Sequence, residues 1–111
     1  MNSDDDFAIS PQVLAAVVRI ATHRIPFRNR YRLEEVLRFC NVILNAPGCK
    51  IVNPAVAHWG IFCELCQATG AHGNLVPDAW FAALAIEHGC EWITHDRDYA
   101  RFPGLRWRPP F

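Results

Sequence analysis

The sequence contains little lysine, no excess of charge of either sign and no long hydrophobic run. Lys50 is the single lysine among 11 basic residues, which balance 11 acidic ones, so the formal net charge is zero. A globally basic surface of the kind that attracts nucleic acid is therefore excluded. No apolar stretch is long enough to cross a bilayer, and the N-terminus is acidic, which predicts neither a membrane span nor an export signal. We expect a cytoplasmic protein.

Composition nevertheless predicts a folded core. The chain is 51% hydrophobic and 20% charged over 111 residues, which favours a single domain covering residues 1–111. Its five cysteines are an odd number without an export signal, which is typical of reduced thiols. Cys63 and Cys66 have the spacing of metal ligands, but no second pair accompanies them, and a structural zinc normally needs four ligands. We therefore interpret them as small hydrophobic residues on a helix.

Negative charge is missing from one long segment near the N-terminus. No acidic residue lies between Asp6 and Glu34. The basic residues there are all arginine: Arg19, Arg24, Arg28, Arg30 and Arg32. Arginine pairs with phosphate and carboxylate in a bidentate geometry that lysine lacks. Two interpretations stay open: a surface that binds RNA or a partner protein through Arg19, Arg24, Arg28 and Arg30, or a solvated loop between two helices.

Hydrophobic periodicity and the positions of proline and glycine predict helices that alternate with short strands. The predicted elements are a strand Phe7–Ile9, a helix Pro11–Thr22, a helix Leu33–Asn45, a strand Lys50–Val52, a helix from Asn53 and Pro54 to Thr69, a helix that Pro77 opens and Gly89 closes, a strand Glu91–Thr94, a helical turn Asp96–Arg101 and an edge strand Leu105–Trp107. This alternation is typical of an α/β fold, with a parallel sheet flanked by helices.

The same pattern gives two expectations about burial. The helix Pro11–Thr22 is apolar on most faces, which predicts that it is buried. In the third predicted helix we expect Val56, Trp59, Cys63 and Cys66 to form one apolar stripe in the core.

Two carboxylates stand out. Asp78 lies in the first turn of an otherwise apolar helix, where the helix dipole alone favours a negative charge. Asp96 follows the strand around Ile93 at its carboxyl end, which is where open α/β sheets bind ligands. If the two face one another, their oxygens suit Mg²⁺ or Mn²⁺. Asp98 is either a third oxygen donor or the surface of a turn. The role of Asp78 as a simple helix-terminal charge also stays open.

The residues around these carboxylates resemble a known family. Five segments carry the likeness: Gly73–Ala79, Ala82–Ala85, Gly89–Cys90, Thr94–Tyr99 and Phe102–Trp107. They are similar to the C-terminal part of PIN-domain ribonuclease toxins of the VapC type. The resemblance implies a PIN-like (Rossmann-like) fold and a divalent-metal-dependent endoribonuclease. Asp78 and Asp96 would be catalytic, and Asp78, Asp96 and Asp98 would bind Mg²⁺ or Mn²⁺. It also implies an RNA substrate, a cognate antitoxin, a homodimer and no membrane association.

The sequence departs from the family in two respects, one of which is that Ala15 and Ala16 stand in the first helix where members commonly have a glutamate. The other concerns the N-terminus. Members usually begin with an apolar strand that ends in an aspartate, and this strand is central in their sheet. Here Asp4, Asp5 and Asp6 precede the apolar run rather than follow it, so we expect a PIN-like domain that lacks its N-terminal central strand. Two functions remain open: an active metal-dependent ribonuclease, and a catalytically impaired PIN remnant that only binds an antitoxin or RNA.

Overall fold

A computed structural model describes residues 7–23 and 31–110 of the chain. It divides into two compact units, Met1–Asn53 and Pro54–Phe111, which are described separately below. In the described residues, no helix is both long enough and apolar enough to cross a bilayer.

The first unit contains two helices and a pair of parallel strands. In chain order its elements are β1 (Phe7–Ile9), α1 (Pro11–Thr22), α2 (Leu33–Leu44) and β2 (Cys49–Ile51). Ser10 caps α1 by accepting a hydrogen bond from the Gln12 N–H at 3.2 Å, and a proline follows at the first helical position. The strands are in register with Phe7 opposite Cys49 and Ile9 opposite Ile51. A parallel pair was expected from the sequence, and the structure contains it.

The core of this unit is small. Leu14 of α1 packs with Val36 and Cys40 of α2, and these three side chains are buried. The expectation that α1 is buried on most faces is wrong for this unit taken alone, because Leu14 is its one buried residue and Ile20 is 62% exposed. Two helices offer each other only one face, so the remaining apolar side chains of α1 lie outside the core of the unit.

The second unit is built around one central helix. Its elements are α3 (His58–Thr69), α4 (Leu75–Glu87), β3 (Trp92–Ile93), a 3₁₀ helix (Arg97–Arg101) and β4 (Trp107–Arg108). The strands β3 and β4 are parallel, with Trp92 opposite Trp107. The small side chains of α4 are buried, which lets neighbouring elements approach it closely. The buried cluster consists of Leu65, Ala79, Ala82, Ala83, Tyr99 and Phe102.

The predicted apolar stripe of α3 is wrong at its start. Val56 is fully exposed and Trp59 is 64% exposed, whereas His58 and Leu65 are buried. The cause is the helix boundary: α3 begins at His58 rather than at Asn53 and Pro54, so Val56 lies in the preceding turn. The residues of α3 that face the core are therefore shifted relative to the predicted stripe.

Helix α4, unlike α3, begins earlier than predicted, at Leu75 rather than Pro77. The turn before it contains Gly73 at φ 55°, a left-handed conformation that suits glycine. Pro77 is then the third helical residue. The first N–H groups of a helix have no partner within the helix, so a proline is tolerated there. The other boundaries differ by one or two residues; α2, for example, ends at Leu44.

Glu87 at the end of α4 holds the start of α3. One carboxylate oxygen accepts a hydrogen bond from the Ala55 N–H and the other from the Ala57 N–H, each at 2.9 Å. Partial burial acts to raise the pKa of Glu87. The two backbone hydrogen bonds, with His88 and His58 nearby, outweigh burial and leave that pKa lowered. The ionised carboxylate therefore replaces the helix N-cap side chain that Ala57 cannot supply.

We expect Glu87→Gln to lower the thermal midpoint by several degrees, because glutamine has one side-chain oxygen for two N–H donors. Because the pKa of Glu87 is lowered in the folded state, its carboxylate stabilises the fold at pH values above the ordinary glutamate pKa. This stabilisation is lost as the pH falls through the folded-state pKa of Glu87. The difference in thermal midpoint between wild type and variant should therefore be largest at pH 7 and disappear below about pH 4. Thermal melts across this range test it, with the exposed Glu64→Gln as control. A pH-independent difference would contradict the assignment.

Candidate metal centre

Asp78 is positioned by the first turn of α4. Its side chain is half-buried, and one carboxylate oxygen, Oδ1, accepts a hydrogen bond from the Tyr99 hydroxyl at 3.1 Å. The positive end of the helix dipole favours a negative charge there. A burial of this degree would normally disfavour a carboxylate, so the position is compatible both with a structural helix-terminal charge and with a ligand for a cation.

The pKa of Asp78 is raised above its ordinary value. Burial is the main cause; the hydrogen bond from Tyr99 acts in the opposite direction, and the negative charges of Asp96 and Asp98 add to the rise. The negative charges of Asp96 and Asp98 thus repel a negative charge on Asp78. A divalent cation between such groups would relieve this repulsion.

Asp96 is held by its neighbours on both sides. Its N–H donates to Thr94 Oγ1 at 3.0 Å, and its Oδ1 accepts from the Asp98 N–H at 2.9 Å. The second bond caps the 3₁₀ helix Arg97–Arg101. Asp96 therefore follows β3 directly, as the sequence predicted, and its orientation is fixed by short local hydrogen bonds.

Asp98 is exposed, and its carboxylate lies 3.9 Å from the Arg101 guanidinium. A long ion pair between exposed side chains contributes little to stability. A cation that bound Asp98 would displace only this weak ion pair with Arg101. The geometry therefore leaves both interpretations of Asp98 open, as a third donor and as the surface of a turn.

The donor chemistry fits a divalent metal ion in kind. Carboxylate oxygens are the ligands that Mg²⁺ and Mn²⁺ prefer. In number the fit is incomplete, because residues 7–23 and 31–110 contain no group of three or more His, Cys, Asp or Glu side chains gathered around one position. The described part of the chain thus supplies a partial carboxylate site.

The arginines proposed to bind RNA or a partner are only partly described. Arg24, Arg28 and Arg30 lie outside the described residues. Arg19 lies in the last turn of α1 and is exposed. Both interpretations of the arginine-rich segment therefore remain as the sequence left them.

Two residues of the site have positioning roles that the sequence analysis does not predict. Thr94 lies two residues before an aspartate, a spacing that is common in side-chain-to-backbone turns. Tyr99 lies within one of the segments that resemble the family. Nothing in its spacing from Asp78 indicates contact, because the two residues are 21 positions apart in the chain. The sequence therefore contains a local pattern that indicates the role of Thr94, and no pattern that indicates the contact of Tyr99 with Asp78.

Residues 1–105 match the sequence pattern of the PIN domain family. The chain is 34% identical to Ribonuclease VapC43 of Mycobacterium tuberculosis over 109 residues, covering 98% of this chain and 74% of that protein. It is 36% identical to Ribonuclease VapC31 of the same species over 109 residues, covering 97% of this chain and 77% of that protein.

Solved structures share the fold. VapBC2 from Rickettsia felis, bound to a DNA fragment from its promoter, superposes with a TM-score of 0.71 at 20% identity, covering 96% of this chain and 76% of that one. VapBC-1 from nontypeable Haemophilus influenzae also gives a TM-score of 0.71, at 18% identity, covering 98% of this chain and 78% of that one. The described helices and parallel strand pairs are those of an α/β PIN fold.

Proposed function

The chain belongs to the PIN-domain family, and from this premise we propose that it is the toxin of a VapC-type toxin–antitoxin pair, an endoribonuclease that hydrolyses RNA phosphodiester bonds with a divalent metal ion. One observation carries the proposal: Asp78 of α4 accepts a hydrogen bond from Tyr99, which lies in the 3₁₀ helix that Asp96 caps, so the two carboxylates belong to adjoining segments of the second unit. Relatives at 34–36% identity over nearly the whole chain are named ribonucleases, which favours the nuclease over a remnant that only binds.

Asp78 and Asp96 would hold the metal ion, which we propose to be Mg²⁺ or Mn²⁺, and Asp98 is the candidate third ligand. When bound, such an ion lowers the pKa of a coordinated water and offsets negative charge on the phosphate. The chain's own contribution is orientation. Thr94 and the 3₁₀ helix fix Asp96, and the first turn of α4 fixes Asp78.

The direct test is hydrolysis of an end-labelled RNA with Mg²⁺ or Mn²⁺, with EDTA as the metal-free control. Cleavage by the 111-residue chain should be slow, because the described ligand set is incomplete, and EDTA should stop it. If neither this chain nor a version with an added acidic strand cleaves RNA, the proposed function is wrong. RNA binding without cleavage in both versions would favour the remnant instead.

We also propose a cognate antitoxin as partner, supported by the two VapBC structures that share the fold. The first unit offers an apolar groove of about 420 Å³ between its helices, lined by Val17, Ala21, Tyr31, Glu35, Val36 and Phe39. Two large side chains that line it, Tyr31 and Phe39, are exposed, and a partner helix could cover them. A homodimer remains an expectation of the family. An RNA target and an antitoxin would both place the protein in the cytoplasm.

The arginine-rich segment gives a prediction about RNA affinity. Replacing Arg24, Arg28 and Arg30 by alanine should weaken RNA binding and flatten its dependence on salt. Each lost phosphate contact reduces the slope of log K against log salt by about 0.7 for single-stranded RNA, so we expect a reduction of roughly 2. Fluorescence anisotropy with labelled RNA at several salt concentrations measures it.

A matched control removes the same positive charge elsewhere. Arg38, Lys50 and Arg108 are exposed residues outside the arginine-rich segment, and their triple alanine variant should keep most of the salt slope. If both triple variants lose the same slope, only net charge matters. An unchanged slope in the first variant would show that the segment is merely solvated.

A further inference from the structure

Tyr99 presents one polar atom from an otherwise apolar environment. The residue is 5% exposed and belongs to the core of the second unit. Its ring packs against Trp92, with centroids 5.4 Å apart, and against Phe102 at 5.8 Å. Trp92 is in turn stacked on Phe81 at 5.6 Å. Aromatic neighbours on several sides leave the ring little freedom, so the position of its hydroxyl group is set by the core.

That hydroxyl group donates to Asp78 Oδ1 at 3.1 Å. A tyrosine hydroxyl group is protonated at neutral pH and can donate. Its partner is a carboxylate, which makes the bond stronger than one between neutral groups.

The bond also connects two parts of the candidate site. Asp78 belongs to α4, whereas Tyr99 belongs to the 3₁₀ helix that Asp96 caps and that contains Asp98. A hydrogen bond from the Asp98 N–H fixes the Asp96 side chain. The Tyr99 hydroxyl group connects the same 3₁₀ helix to Asp78, which lies 21 positions away in the chain. Without it, the described structure provides Asp78 with no other side-chain hydrogen bond to hold its carboxylate against the segment of Asp96.

We propose that Tyr99 is a positioning residue for the metal site: its buried hydroxyl group orients the Asp78 carboxylate toward the cation that Asp78 and Asp96 share. This inference rests on the proposed metal-dependent function and goes beyond it by assigning a role to a residue that does not itself bind the metal. Partners of metal ligands in this position typically contribute 10–100-fold to metal affinity.

The test is the affinity of the chain for Mn²⁺, measured without RNA by the loss of the free-ion electron paramagnetic resonance signal. Tyr99→Phe keeps the ring and removes one oxygen, and it should raise the Mn²⁺ dissociation constant on the order of tenfold. Tyr31→Phe is the matched control, since Tyr31 is the only other tyrosine and is 66% exposed. It should bind Mn²⁺ as the wild type does.

A second variant separates orientation from packing. Leu65→Ala removes a buried side chain of the same core cluster, keeps the rings that pack on Tyr99 and keeps the hydroxyl group, so it should lower the melting temperature and leave Mn²⁺ affinity nearly unchanged. A further measurement needs no variant: the hydroxyl proton of Tyr99, sheltered from exchange, should shift in the NMR spectrum when Mg²⁺ is added.

The outcomes are distinguishable. If the wild type binds Mn²⁺ and Tyr99→Phe binds it equally well, the positioning role is wrong and the proposed function stands. If Leu65→Ala weakens Mn²⁺ binding as much as Tyr99→Phe, the effect belongs to the packing of the core and the positioning role is again wrong. A wild type that neither binds Mn²⁺ nor cleaves RNA would overturn the proposed function, and the role of Tyr99 with it.

Discussion

An added N-terminal strand that ends in an aspartate is expected to raise metal-dependent RNA cleavage on the order of a hundredfold over the 111-residue chain. Asp78 and Asp96 would supply two carboxylates, so water would fill most coordination positions of an ion there and the ion would be held loosely. A displacement of about an ångström can reduce a rate by about a hundredfold. A third carboxylate from a fixed strand would restrict the position of the ion. Single-turnover cleavage of one labelled RNA by both versions measures the gain.

Stability should rise in the same experiment. Among the described residues each sheet has only two strands, β1 with β2 and β3 with β4, and two-stranded sheets are marginally stable in water. A further strand would pair backbone groups at an exposed edge and cover apolar surface. The extended protein should therefore melt at a higher temperature than the 111-residue chain.

The matched control carries the same added strand with asparagine in place of its aspartate. This control should gain the stability and lack most of the gain in cleavage, because only the charge differs. Equal cleavage by both extended versions would show that the strand acts through folding alone. Robust cleavage by the 111-residue chain itself, lost in Asp78→Asn, would show that the described carboxylates suffice.

The sequence predicted the order of elements well and their ends less well. Helix α1 began at the predicted Pro11 because Ser10 and a following proline form a local capping signal. Helix α3 began later than predicted because its N-terminus is capped by Glu87, a residue about 30 positions away. Local signals are visible in a sequence, and a cap supplied from another element is not.

The same distinction applies to the site. The sequence predicts that Asp96 follows a strand, and its contacts are local because Thr94 and Asp98, each two positions away, supply them. The bond between Asp78 and Tyr99 depends on how α4 packs against the 3₁₀ helix. The exposure of Val56 and Trp59 followed from a shifted helix boundary, which changed the direction of every side chain near it. Contacts that depend on tertiary packing leave no local pattern in the sequence, so the sequence alone does not predict them.

Asp96→Asn in the extended protein is expected to abolish RNA cleavage. Asparagine keeps an oxygen that can accept from the Asp98 N–H, so the cap of the 3₁₀ helix survives and only the charge is lost. A bound metal ion supplies several kcal/mol of stabilisation to the transition state, so loosening it should reduce the rate at least on the order of a hundredfold.

Asp98→Asn is the matched control, because Asp98 lies two residues away, is exposed and pairs with Arg101 only at 3.9 Å. If Asp98 is the surface of a turn, this variant should keep cleavage within about threefold of its parent, in the range of ordinary surface substitutions. A loss as large as that of Asp96→Asn would instead make Asp98 a third ligand. Unchanged cleavage in Asp96→Asn, with metal dependence intact, would remove Asp96 from the site. The metal would then have to be held by Asp78 with other donors, since carboxamide oxygen alone does not replace a carboxylate charge near a divalent ion.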